Sequence, residues 1–261
     1  MPTVAQPTRK QRRDAARHAR VEREAAAVAA AARRRRVTRL GAVLGAAAIV
    51  VAVLVAMSAS GSGSKAAPRT ASSVSGASAT SALLAGIPQK GLVLGDAKAP
   101  VRVVEFADLQ CPFCRDVTLS TMPDIVKRYV RPGDVRMEFR SLAFIGPDSV
   151  RAARVAQAAA QQDKLWNFVD LAYRNQGKEN SGWATDAVLR RLAGAVPGLD
   201  ADRAFAARNG AAVTGALKAA DTLATTSGVQ STPTFLVGRG SSLKAVDAAG
   251  LEAAIKAAVK Q

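Results

Sequence analysis

The sequence predicts an α/β body with a helical insertion, preceded by a single N-terminal segment suited to a transmembrane helix. Three observations carry this reading. Two short apolar runs, Val101–Phe106 (VRVVEF) and Val135–Phe139 (VRMEF), have the β-branched and aromatic content of buried strands. From Ser149 to Ser227 the pattern is mostly helical, before strand-like residues return at Thr234–Val237. Far upstream, Leu40–Met57 (LGAVLGAAAIVVAVLVAM) runs for eighteen residues without a charge or a polar side chain.

The N-terminal third is read from charge and hydropathy. The 261 residues hold 37 Lys+Arg against 20 Asp+Glu, a formal net charge of +17. Residues 1–39 alone carry twelve basic and three acidic side chains, so about half of the excess sits in a short arm. Arg9–Arg36 is helical by propensity but has no core-facing stripe. At about 1.5 Å per residue, the apolar run that follows reaches roughly 27 Å, close to the hydrocarbon thickness of a bilayer. Arg33, Arg34, Arg35, Arg36 and Arg39 stand immediately before it, and positive charge stays on the cytoplasmic side. The expectation is a cytoplasmic arm over 1–39, a cell-membrane anchor over 40–57 in contact with lipid, and a body outside the cytoplasm. A cleavable signal peptide, cut near Ala56, Ser58 and Ala59, is the rival, but a signal core is usually shorter. A buried soluble helix would need a covering surface that nothing nearby supplies. The arginine cluster fits a topogenic and headgroup-binding role with fewer assumptions than nucleic-acid binding, so no nucleic-acid partner is expected. Residues 58–85 are rich in Ser, Ala, Gly and Thr, with Pro68, and read as a flexible linker. Residues 86–261 then have the size of one compact domain.

Within the body the first strand leads to a helical stretch, Arg115–Val130, which Pro123 should kink. After the second strand come helical segments at Ser149–Gln162, Leu165–Tyr173, Thr185–Ala193 and Ala211–Thr226, with breaks at Gly177, Gly182, Pro197 and Gly210. Leu243–Val246 is a hairpin partner for Thr234–Val237, and Leu251–Val259 closes the chain as an amphipathic helix. Strand, helix, strand, several helices, hairpin and helix make the α/β body. Trp166, Phe168 and Tyr173 recur at helical spacing and read as core. Trp183 beside Gly182 fits a satellite core or a binding surface.

Composition removes much of the enzyme repertoire. The only histidine, His18, lies in the basic arm, which excludes a Ser-His-Asp triad, a Cys-His pair and His-ligated zinc in the body. No phosphate-binding loop and no GxGxxG after a strand is present. Two cysteines remain, both in one tetrapeptide, Cys111-Pro112-Phe113-Cys114, directly after a strand and opening a helix. A helix N-terminus offers unpaired N–H groups and the positive end of the macrodipole, which stabilise a thiolate. Pro112 suits the first helical turn. On this geometry Cys111 is the exposed attacker, and Cys114, most of a turn later and more buried, resolves a mixed disulfide. Half of a zinc site would need ligands the body lacks. A purely structural bridge across four residues would stabilise by about 2 kcal/mol or less.

VRVVEFADLQCPFCR resembles the first strand and active-site helix of DsbA-like thiol-disulfide oxidoreductases of the bacterial cell envelope. Gly228-Val229-Gln230-Ser231-Thr232-Pro233-Thr234-Phe235 resembles the same family's loop, in which a cis-proline faces the cysteines. The helical stretch between the motifs matches the family's insertion, so the resemblance implies a thioredoxin-like fold over roughly Lys90–Gln261. It also implies that Cys111 is the nucleophile, Cys114 the resolving thiol and Pro233 the cis-proline. Thr232 becomes the residue whose backbone pairs with bound substrate, beside Pro112 and Phe113. Glu105 matches a buried acid near the disulfide. A carboxyl at the end of an apolar strand should have a raised pKa and could relay a proton for Cys114. The other reading of Glu105 is an ordinary strand-end carboxylate paired with Arg102 or Arg115. Asp108 is expected to hold the turn before the helix. Phe113 stands where the strongest oxidants of the family carry histidine, and Thr232 is shared with isomerase and reductase relatives.

The resulting expectation is formation of disulfide bonds in reduced exported proteins, without a cofactor. A membrane quinone-linked thiol oxidase would restore the disulfide. A reductase or isomerase, a non-catalytic peptide-binding module and a basic nucleic-acid-binding membrane protein are the alternatives.

Overall fold

Two parallel strands, β3 (Val101–Ala107) and β4 (Val135–Ser141), form the centre of a six-stranded mixed sheet. The strand order is β1-β2-β4-β3-β5-β6, with β1 (Gln89–Lys90), β2 (Val93–Leu94), β5 (Thr234–Arg239) and β6 (Ser242–Val246) completing it. The computed structural model describes residues 74–261. The basic arm, the apolar run expected to anchor the chain and residues 58–73 of the expected linker lie outside them. Among the described residues no helix is long and apolar enough to cross a membrane.

β3 reads as an almost unbroken apolar run because both faces of the sheet are covered. On one face Val101, Val103 and Ala107 join Met137, Phe139, Phe235, Leu251 and Ile255 in the main core. On the other, Val104, Phe106 and Leu236 pack with Ala220 and Ala224 of the helix over Ala211–Thr226. A parallel pair needs a crossover, and here it carries the cysteines: α2 (Pro112–Ser120), α3 (Met122–Ile125) and a π-helical turn at Val126–Val130. Pro123 ends up in the first turn of α3, where its missing N–H has no partner to lose, so it separates two helices and does not kink one.

The helical insertion comprises α4 (Pro147–Ala160), α5 (Leu165–Arg174), α6 (Asp186–Gly194), α7 (Ala201–Ala207) and α8 (Ala211–Thr226). Four of these match the segments expected from periodicity; α7 was not foreseen. Trp166, Phe168 and Tyr173 are core residues at 5 % exposure or less. At the end of α8, Gly228 takes the left-handed φ of +69° that its missing Cβ permits, turning the chain into the Ser231–Pro233 loop. After the β5–β6 hairpin, α9 (Leu251–Val259) covers β5 and β3.

The linker expected over residues 58–85 is corrected at its C-terminal end. Ala77–Leu84 forms α1, docked on α5. Thr80 Oγ1 donates to the Asp170 carboxylate, Leu84 is buried, and Arg131 donates to the carbonyls of Leu83 and Ala85 at 2.8 Å. Small residues gave this stretch a linker's composition, yet alanine is also the best helix former. Thr80, Leu83 and Leu84 supply the side that packs.

Candidate active site

Cys111 is the N-cap of α2, with φ −67° and ψ 119°, and Pro112 is the first helical residue. Cys111 Sγ therefore faces the unpaired donors of the first turn. The Cys114 N–H donates to it at 3.4 Å, and its own S–H points to the Thr232 carbonyl at 3.5 Å. The Thr232–Pro233 peptide is cis, and the 3.5 Å contact from Thr232 to Cys111 puts the loop resembling the family's proline loop against the cysteines. One expectation needs correction: Cys111 is only 4 % exposed, because that loop covers it. Phe113, at 70 % exposure, carries the open surface of the motif, beside exposed Pro112.

Both cysteines are free thiols, and their environments drive them apart. The Cys111 pKa is lowered to about 6. The Cys114 side chain donating to its sulfur is the largest cause, with help from Thr232 and the Cys114 and Phe113 backbone N–H groups, against an opposing effect of burial. Cys114, with no exposed surface, is pushed far up, first by burial and then by the neighbouring sulfur. One sulfur is thus set up to be a thiolate and the other a thiol.

Glu105 lies on β3 and is 2 % exposed. Its Oε1 has no hydrogen-bond partner, and burial raises its pKa to about 8. The alternative of an ordinary paired carboxylate does not hold. Arg102 pairs with Glu138 at 2.5 Å, while Arg115 donates to the Tyr173 carbonyl and lies 3.9 Å from Asp116. Glu105 lines a cavity of about 20 Å³ together with Thr118, which sits one helical turn beyond Cys114 on α2. That volume suits a single water molecule.

Asp108 holds the turn before the helix, as expected, but its reach is longer than the sequence suggested. Its Oδ1 accepts from the Gln110 N–H at 2.8 Å and from Ser149 Oγ at 2.6 Å. Its Oδ2 accepts from the N–H groups of Phe144 and Ile145 at 3.1 and 3.2 Å, which brings the loop after β4 beside the cysteines. The exposed large apolar side chains among the described residues are Phe113, Phe144 and Val150, and the last two flank the groups bonded to Asp108. Phe144 and Val150 carried no signal in the sequence, since only the tertiary fold brings their neighbourhood to the turn held by Asp108. Among the described residues no three His, Cys, Asp or Glu side chains are grouped closely enough to hold a metal ion.

A thiolate-forming cysteine at a helix N-terminus, its buried partner one turn on and a cis-proline loop over both define a dithiol protein on a thioredoxin-like sheet. The thioredoxin family model matches residues 88–257, and the chain belongs to that family, as a DsbA-like member. The probable disulfide bond formation protein D of Bacillus cereus is 40 % identical over 98 residues, 37 % of this chain and 45 % of the relative. The matched stretch thus spans about half the length of that protein. Oxidised BdbD from Bacillus subtilis superposes with a TM-score of 0.59 at 25 % identity, over 67 % of this chain and 98 % of that structure. A thioredoxin-like oxidoreductase from Silicibacter pomeroyi gives 0.53 at 30 % identity, over 65 % and 92 %.

Proposed function

We propose that this protein is a membrane-anchored, extracytoplasmic thiol-disulfide oxidoreductase that forms disulfide bonds in exported proteins through Cys111 and Cys114. The observation that carries the reading is the opposed tuning of the two sulfurs at one helix N-terminus. A binding module would have no use for it.

The reaction begins from the Cys111–Cys114 disulfide. A substrate thiolate attacks Cys111 Sγ, the S–S bond breaks, and Cys114 leaves with the electron pair. Cys114 is the sulfur least able to remain charged, so it takes a proton at once. Glu105, its pKa raised to about 8, is mostly protonated at neutral pH and serves as the donor, directly or through one water in the adjoining cavity. A second substrate thiolate then attacks the substrate sulfur of the mixed disulfide, and Cys111 departs as the stabilised thiolate. The substrate loses two electrons and gains a disulfide; the enzyme becomes a dithiol. A quinone-linked thiol oxidase of the membrane accepts those electrons and restores the disulfide, and no cofactor is needed on this chain. Extended substrate pairs with the Thr232 backbone beside Pro233, and Pro112, Phe113 and Phe144 offer it apolar contact. Oxidation of reduced ribonuclease by the full chain tests the reading. Regain of ribonuclease activity is expected, and insulin reduction without it would instead make the protein a reductase.

Residues 40–57 place the body outside the cytoplasm in this proposal. A phosphatase that works only after export, fused behind Gln261, is expected to be active, and a fluorescent protein that matures only in the cytoplasm is expected to stay dark. The opposite pair of results would overturn the topology.

Phe113 sets the expected strength of oxidation. It gives the Cys111 thiolate neither charge nor a side-chain hydrogen bond, and a hydrogen bond to a charged group is worth roughly 1.5–3 kcal/mol. At about 30 mV per 1.4 kcal/mol for a two-electron couple, Phe113→His should raise the potential by a few tens of millivolts and lower the Cys111 pKa further. Equilibration with glutathione checks it; an unchanged or lower potential would refute the account.

A further inference from the structure

The turn Asp108–Cys111 joins the sheet to α2, yet most of what fixes it comes from the helical insertion. Tyr173, buried on α5, donates its hydroxyl to the Asp108 carbonyl at 3.1 Å, the same oxygen that accepts the Cys111 N–H at 2.9 Å. Ser149 on α4 donates to the Asp108 carboxylate, and the Asn180 N–H donates to Gln110 Oε1 at 2.7 Å. The most direct contact is made by Gln176, two residues past the end of α5. Its Nε2 donates to the Leu109 carbonyl at 2.9 Å and to the Cys111 carbonyl at 3.1 Å. The Cys111 carbonyl is also the acceptor of the first hydrogen bond of α2, from the Arg115 N–H at 3.2 Å. One uncharged amide therefore holds the backbone on both sides of Gln110 and grips the N-cap residue itself.

We propose that Gln176 is a positioning residue for Cys111: by clamping the Leu109 and Cys111 carbonyls it fixes the N-cap geometry that aims the sulfur at the first-turn N–H groups. The inference rests on the reading of Cys111 as the thiolate-forming nucleophile. A thiolate gains from helix-terminal donors only while it is held in line with them, because hydrogen bonds weaken steeply with angle. The titratable group bonded to this sulfur is Cys114 on α2, and Tyr173 on α5 feels both sulfurs together with Glu105 on β3 and Asp108 just after it. Gln176 adds no charge to that set, so removing its amide acts through geometry alone. A looser N-cap destabilises the thiolate, and a less stable thiolate shifts the couple towards the disulfide.

The test is a thiolate titration at 240 nm on the reduced full chain in detergent, where only two cysteines contribute. It is paired with a glutathione equilibrium and a thermal melt. Gln176→Met keeps the length of the side chain and removes both donors. The expected result is roughly three- to tenfold less thiolate at a given pH near the Cys111 transition, the range set by losing one ordinary hydrogen bond. The glutathione equilibrium should move towards the disulfide by the same factor. If Gln176→Met fails to fold, Tyr173→Phe removes the neighbouring bond to Asp108 while leaving the ring in place, and a smaller shift in the same direction is expected. A lowered melting temperature with titration and equilibrium both unchanged would overturn the proposal, since a merely structural residue gives that pattern. An ordinary thiol titration in the unaltered chain would overturn the proposed function beneath it, and that result is read before any variant is made.

Discussion

Cys114→Ser is expected to accumulate covalent adducts with exported substrates, while Cys111→Ser is expected to form none and to lose all turnover. The Cys111 sulfur accepts from the Cys114 side chain and N–H, with its pKa lowered to about 6, so near neutral pH it is largely thiolate. Without Cys114 that thiolate can still take up an oxidised substrate, or a substrate thiol made reactive by a small-molecule disulfide. Cys114 is then no longer there to attack the mixed disulfide from the enzyme side, so the adduct persists until a second substrate thiol releases it. Without Cys111 the remaining sulfur is buried, pushed far up in pKa and unable to attack. Non-reducing electrophoresis and mass spectrometry of trapped partners read the outcome. Adducts on Cys111→Ser but not on Cys114→Ser would reverse the two roles.

Both chemistry-bearing motifs were legible in the sequence because each is local. A strand followed by Cys-Pro-Phe-Cys dictates an N-capped helix with one sulfur at its mouth. A Thr-Pro pair before a second strand returns, through the β3–β5 pairing of Glu105 with Phe235, to the same end of the sheet. The strands β3, β4 and β5 and the long helices were equally readable, since apolar periodicity sets them. What escaped was set by tertiary contact. The two-residue strands β1 and β2 are too short for any alternation to register. α1 was hidden by a composition shared with linkers, and its stability comes from Thr80 and Leu84 meeting the insertion. Tyr173 was read as core, which it is, but its hydroxyl also fixes the Asp108 carbonyl. Gln176 and Phe144 carried no signal at all, because a glutamine after a helix and a phenylalanine in a loop gain meaning only from the carbonyls and the turn they meet. The exposure expected of Cys111 failed for the same reason: the proline loop, far away in sequence, folds over it.

Glu105→Gln should make the reduced protein more stable at high pH and slower at neutral pH, an opposition that separates its chemistry from its packing. The folded state raises the Glu105 pKa from 4.5 to about 8 by burial alone. Between those values the folded chain holds a proton that the unfolded chain has released, so this group lowers stability as pH rises through that window. Above pH 8 the full penalty applies, roughly 5 kcal/mol for a shift of that size, and glutamine cannot incur it. Cys111 titrates with the opposite sign: its lowered pKa adds stability as pH rises above about 6. That contribution is common to both proteins and cancels when the variant is compared with the parent. The expected measurement is a difference in urea unfolding free energy near zero at pH 4 and growing to several kcal/mol by pH 9, in favour of glutamine. Turnover should move the other way. If Glu105 supplies the proton that Cys114 takes on leaving, its amide cannot, and general-acid assistance of this kind is typically worth about a hundredfold or more. Stopped-flow reduction of the oxidised protein by a dithiol substrate at pH 7 reads that step. A stability difference without any change in the rate would leave Glu105 as a buried acid that takes no part in the exchange.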